Sequence, residues 1–371
     1  MSKPANLFFL AIYFLCTTCL AAKEPVPIRV VDAVPDEVTN SLFTSTEGWI
    51  GADGVNSVIL PDQSILWIFG DTLIGTIRDG KRHDVVMVNN TFAKQQGWGR
   101  DARLQFFVHR DAKSKPTSFI KPQCKPGYYW LWDGLVDGGK LYIFTTRMTS
   151  PGTITAFDWK LMDQSLLVVD NPLDEPARWK VQQFDLPFGV FGEDYEALWG
   201  LEVLRVEGDI YVYGTTQRGK GSPRSLVVAK VKADEITDFS RWTFMNDREW
   251  RSEVREASGL ATDVGTEGSI TWLPNHKRYI YVYSPPLDPR IQMRTAASPT
   301  GPWSEAVTIY TCPEVRWDPR IFCYAGKARL VPGSNNELSI SYATNSFEML
   351  PHVLADARVY QPRFVKGRLA D

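Results

Sequence analysis

Helical periodicity is what this sequence has least of. No uninterrupted amphipathic window of 12 residues occurs, and 24 Pro and 27 Gly punctuate the 371 residues, which excludes a helical bundle or a helix-covered parallel sheet. Basic clusters are missing too: 41 Lys and Arg stand against 43 Asp and Glu with no stripe of one sign. Nucleic acid and anionic membrane, which need clustered cations, are therefore not expected as partners. Absent as well are a Walker loop, a dinucleotide fingerprint, a zinc motif and a Ser-centred nucleophile elbow. No cofactor is required by anything in the sequence, and no metal ligands are assigned. What remains is a chain with 44% hydrophobic and 12% aromatic residues, enough for a large core.

Cysteine is scarce and divided. Of five, Cys16 and Cys19 fall near the N-terminus, leaving Cys124, Cys312 and Cys323, an odd number without the close paired spacing of a zinc site. Cys312 and Cys323 form a disulfide or remain buried thiols; the sequence leaves both open. Lys3, the apolar run from Leu7 to Leu15, and Cys19-Leu20-Ala21 read as a signal peptide over residues 1–21. A secreted or periplasmic protein without a membrane anchor is expected, since Cys16, Thr17 and Thr18 break a run too short to span comfortably. Cleavage removes one Lys and no acid, leaving 40 basic against 43 acidic side chains. No Gly/Ser linker interrupts residues 27–371, read as one domain and a monomer.

One hairpin signature recurs five times. Its second strands are ILWIFGDT (65–72), KLYIFTTR (140–147), DIYVYGTT (209–216), RYIYVYSP (278–285) and ELSISYAT (337–344). Phe69, Phe144, Tyr213, Tyr283 and Tyr342 are equivalent, at separations of 75, 69, 70 and 59 residues. Turn residues precede each strand, among them Pro61-Asp62, Asp137-Gly138-Gly139 and Glu207-Gly208. A long-period repeat of hairpins predicts an all-β, five-bladed β-propeller rather than a sandwich. Either chain end, 28–34 or 359–365, could supply a closing strand.

Folding each hairpin about its turn brings the start of the first strand beside the end of the second. In the first copy this sets Asp53 opposite Asp71 or Thr72, and directly opposed Cβ atoms lie about 4.5–5.5 Å apart. Two carboxylates that close raise one proton affinity, which suits acid or base work near neutrality. The same operation gathers Trp130, Arg147, Glu196, Trp199, Glu267, Tyr324 and Asn345 at one mouth, with Asn89 and Asn90 following the first hairpin. Aromatics, amides and carboxylates together suit a carbohydrate. Asp53, Asp71 and Glu267 are the expected catalytic residues, and Asn90, Trp130, Arg147, Glu196, Trp199, Tyr324 and Asn345 the expected substrate contacts. Glu202, inside its strand, is read as a partner for Arg205.

The segments GADGVNSVILPDQSILWIFGDT, MVNNTFA, TEGSITWL, SPTGPWSEAVTIY and ELSISYATNSF resemble secreted bacterial propellers related to five-bladed glycoside hydrolases. These are the arabinanase-, invertase- and levansucrase-like enzymes and, more distantly, endo-D-arabinanases. The resemblance implies cleavage of a poly- or oligosaccharide, with Asp53 in the chemistry and Asp71 and Glu267 as partners; Glu196 matches only loosely the acid of the third blade. It also implies a scaffold able to hold a structural Ca²⁺ in its central channel. Two other readings stand beside hydrolysis: a non-catalytic glycan-binding propeller and a sugar phosphorylase. A sialidase-like propeller is disfavoured, because Ser298 to Trp303 lacks the Asp of an Asp box.

Overall fold

The computed structural model describes residues 28–150 and 159–370; the expected signal peptide lies outside them. The alternation of β-branched and aromatic residues does produce strands, and each of the five hairpin copies forms two adjacent strands of an antiparallel sheet. In the first sheet, Asn56–Ile59 and Ile65–Phe69 are followed by Thr91–Gln96 and Arg103–Phe107. The second begins with Tyr128–Asp137 and Lys140–Thr149, the third contains Tyr195–Val206 and Asp209–Arg218 with the short strand Val190–Phe191 paired outside the former, and the fourth begins with Gly268–Leu273 and Arg278–Tyr283. In the fifth, Ile321–Leu330 and Glu337–Ser346 are followed by Pro362–Ala370, against which Arg29–Pro35 pairs antiparallel. The N-terminal candidate thus pairs with the last strand, but opposite Lys366 to Ala370, just beyond the 359–365 segment.

The core lies between sheets. Phe69, Phe144, Tyr213, Tyr283 and Tyr342 are all buried. Apolar clusters join the first sheet to the second, the second to the third, the third to the fourth and the fourth to the fifth. Phe364 of the fifth sheet packs among Phe43, Trp67 and Phe69, so the last sheet also meets the first. Each cluster removes several large side chains from water, at roughly 1.5–3 kcal/mol per fully buried residue.

The first hairpin does not stop at its sheet. Its strands continue as Glu47–Ala52 and Thr72–Arg78, which with Lys81–Val88 form a separate three-stranded sheet. The crease between the two sheets falls at Asp53 to Val55 and Gly70 to Asp71. Two glycines make it possible: Gly54 has φ +80° and a Cβ there would meet Gly70 N at 2.9 Å, while a Cβ on Gly70 would meet Asp53 Oδ1 at 2.6 Å. Arg82 fastens this small sheet to the chain's last loop. Its buried guanidinium donates to the carbonyls of Ile50, Val353, Ala357 and Val359, and burial lowers its proton affinity to about 10.

Candidate functional site

The crease fixes the two aspartates. Asp53 N donates to Asp71 O at 3.2 Å and Gly70 N to Asp53 O at 3.0 Å, so the residues are tied through their backbones while their side chains enter one cavity of about 770 Å³. Tyr324 Oη donates to Asp53 Oδ2 at 2.7 Å. Asp71 Oδ1 accepts from Asn89 Nδ2 at 2.9 Å and from the Trp130 indole at 3.0 Å. Glu267, from the fourth sheet, enters the same cavity and is ion-paired at 2.8 Å with Lys327, whose Nζ also donates to Gly54 O at 2.5 Å. Lys327 is buried; a bulge in its strand between Tyr324 and Lys327 re-aims it across three sheets.

The two aspartates differ in proton affinity. Burial first, then the charges of Asp71 and Glu267, push Asp53 up to about 8 against the donated bonds of Tyr324 and Tyr360. Burial raises Asp71 to about 6, with Asn89 and Trp130 pulling it down. Near neutrality the pair therefore shares one proton, with Asp53 the more strongly raised of the two.

Around them stand Trp130 and Trp159, their rings edge-on at 5.3 Å, and Glu196, which is paired at 2.6 Å with Arg224. Tyr324 and Asn345 line the cavity as expected. Three expected contacts do not: strand alternation turns Trp199 and Arg147 away, and Asn90 turns inward from the connection between Lys81–Val88 and Thr91–Gln96. Asn90 is wholly buried, bonded to the carbonyls of Ile120 and Tyr129 and to Ile120 N, while its neighbour Asn89 reaches Asp71. Trp199 sits in the core, its indole bonded to Phe188 O, while Glu196 and Leu198 face the cavity. Arg147 pairs in register with Tyr129, not Trp130, and its guanidinium is bound to Asp163 and Pro126 O. Sequence reasoning missed Tyr360, Trp159, Arg224 and Lys327. Only Arg224 carried a local signal, lying close in sequence to the hairpin that holds Glu196.

Glu202 is also corrected: Arg205 bonds Asp137, and Glu202 pairs at 2.7 Å with Arg329. Glu202 and Asp133 are deeply buried, both with raised proton affinity through desolvation, and Arg329 faces both. Among the described residues no group of three or more His, Cys, Asp or Glu could hold a metal ion. Ca²⁺ takes six to eight oxygen ligands, and this acidic pair already has a cation; these residues do not fit the ion. Cys312 and Cys323 are both buried thiols, hydrogen-bonded to each other. No described helix is long and apolar enough to cross a membrane.

No curated protein sequence matches the chain. Among solved structures, a "putative hydrolase" from Bacteroides ovatus is similar at TM-score 0.71 and 18% identity, over 92% of this chain and 93% of that one. A GH43_1 enzyme from Xanthomonas citri is similar at TM-score 0.51 and 13% identity, over 91% of each chain, and the β-xylosidase RS223 at 0.50 and 11%, over 91% and 95%. At such identities the likeness shows the fold alone, a nearly all-β arrangement of the propeller type. The family described as Domain of unknown function (DUF5005) matches residues 36–368, nearly the whole described chain, and the protein belongs to that family.

Proposed function

We propose that the protein is an exported glycoside hydrolase whose five sheets are the blades of a closed propeller, with the bond cut at the crease of the first. The observation that carries this reading is the unequal pair Asp53 and Asp71 in a cavity of about 770 Å³ that aromatic rings and amides line. Asp53 keeps its proton at neutral pH and gives it to the leaving oxygen. Asp71, ionised and held by Asn89 and Trp130, faces the developing positive charge at the sugar carbon or activates water. Glu267, clamped by Lys327, is a fixed anion beside Asp53. The likeness to a GH43_1 enzyme and a β-xylosidase supports the scaffold. Glu196 serves with Arg224 as a polar contact for sugar hydroxyls.

A panel of plant and bacterial polysaccharides and short glycosides, incubated with protein lacking residues 1–21 and followed by product sizing, tests the reading. Hydrolysis by the wild type and its loss in Asp53→Asn is the expected result. Binding without turnover would favour the glycan-binding alternative, and turnover dependent on phosphate the phosphorylase.

A further inference from the structure

The cavity has two unlike walls. On the side of the second and third sheets stand Trp130, Trp159 and the Glu196–Arg224 pair, a mixture that stacks on sugar rings and satisfies hydroxyls. On the side of the fourth and fifth sheets, Pro285, Pro286, Leu287, Phe322, Met349 and Leu350 line the cavity alongside the polar Thr266, Glu267, Ser284, Tyr324 and Asn345. No side chain among the six apolar residues can donate a hydrogen bond, the Met349 sulfur accepts only weakly, and the two prolines have no N–H to give. Leu287 is 63% exposed and presents its side chain at the mouth of the cavity. From the rim inward, Phe347 lies 4.9 Å from Phe322 and Phe322 5.5 Å from Tyr324, measured between ring centres. The hydroxyl of Tyr324 then reaches Asp53. A run of three rings therefore leads from solvent to the group assigned the proton.

A sugar unit seated against these six side chains would find no strong hydrogen-bond partner among them for its buried hydroxyls, which is unfavourable. The glycone therefore belongs on the Trp130 and Glu196 side. We propose that the wall formed by Pro285 to Leu287, Phe322 and Met349 is a leaving-group subsite for an apolar aglycone, aryl or alkyl, rather than for a further sugar. This rests on the glycoside-cleaving reading for its chemistry: the glycosidic C–O bond breaks, Asp53 protonates the departing oxygen, and water adds to the sugar carbon, releasing an alcohol or phenol.

Two measurements on the full chain lacking residues 1–21 separate this proposal from the reading it rests on. In the first, 2-naphthol, an aglycone without a sugar, is titrated while protein fluorescence is followed. Saturable binding is expected, weakened about tenfold in Leu287→Ser and in Phe322→Ser. Leu287 is exposed, so a melting temperature within a degree of wild type checks that its variant remains folded. Absence of saturable binding, or binding weakened only by Trp159→Ser on the opposite wall, overturns the proposal. In the second, methyl, butyl and hexyl glycosides of a sugar that the protein cleaves are compared, since their leaving groups differ little in acidity. The value of kcat/KM should rise with chain length, up to about fourfold per fully buried methylene, and the rise should vanish in Leu287→Ser. A flat series refutes the subsite while leaving hydrolysis intact. Naphthol binding at this wall with no glycoside cleaved refutes hydrolysis while leaving the apolar subsite intact.

Discussion

Two pairs of buried carboxyls occur in this protein, and they differ in what stands next to them. Asp53 and Asp71 meet at the crease of the first hairpin, open on the large cavity, and have only neutral donors on their oxygens: Tyr324, Asn89 and Trp130. Asp133 and Glu202 lie deeper, do not line that cavity, and face the Arg329 guanidinium. Burial raises the proton affinity of all four. A perturbed carboxyl is therefore not enough to mark a site. Access to a ligand-sized cavity and the absence of a matching cation distinguish the pair proposed for chemistry from the pair that faces Arg329.

The largest expected effects break the comparison at either end. Asp53→Asn should reduce turnover by about 10³-fold, within the range for loss of a general acid, measured on whichever glycoside the panel identifies. An unaffected rate would remove Asp53 from the chemistry. Arg329→Met should instead cost about 3–5 kcal/mol of stability, because two buried carboxyls lose their cation, with turnover per folded molecule retained. Denaturant melts combined with active-site titration check this, and a variant of wild-type stability would contradict a bracing role for Arg329. Next in size is Gly70→Ala, which places a Cβ on the Asp53 carboxyl. A displacement near 1 Å costs on the order of 10² in rate, with little change in melting temperature.

Smaller effects sharpen the electrostatics. With Asp71 ionised above about 6 and Asp53 protonated below about 8, kcat/KM should peak between these values. Glu267→Gln removes an anion that raises Asp53, so the alkaline limb should move to lower pH, by about one unit; a limb that stays put or moves up would exclude Glu267 as the fixed charge. A last effect is on stability. The raised proton affinity of Asp53 favours the folded state fully below pH 3.8, and that contribution is lost as pH climbs to about 8. The melting temperature of the wild type relative to Asp53→Asn should therefore fall across this interval in calorimetry at a series of pH values.

Much of the fold was legible because hairpins are local. Alternation, turn residues and the repeat of one aromatic position located all five, and folding the first about its turn set Asp53 against Asp71 or Thr72, of which the structure selects Asp71. The errors came from parity. Asn90, Trp199 and Arg147 each lie one residue from a side chain that does face the cavity or matches its side of the strand: Asn89, Leu198 and Thr146, which is in register with Trp130. A one-residue uncertainty reverses the face of a strand. Bulges at Leu131 to Gly134, Trp199 to Glu202 and Tyr324 to Lys327 shift that parity within the inner strands themselves.

The sequence by itself determined the repeat, the strand content and the meeting of two aspartates, since each depends on residues within about 20 positions of one another along the chain. Only the tertiary structure decided which carboxyls are matched by cations. Lys327 reaches Glu267 across 60 residues, Arg329 reaches Glu202 across 127, and Tyr324 reaches Asp53 across 271. Such contacts follow from how the sheets pack against one another, and no local pattern of alternation or turn chemistry encodes them.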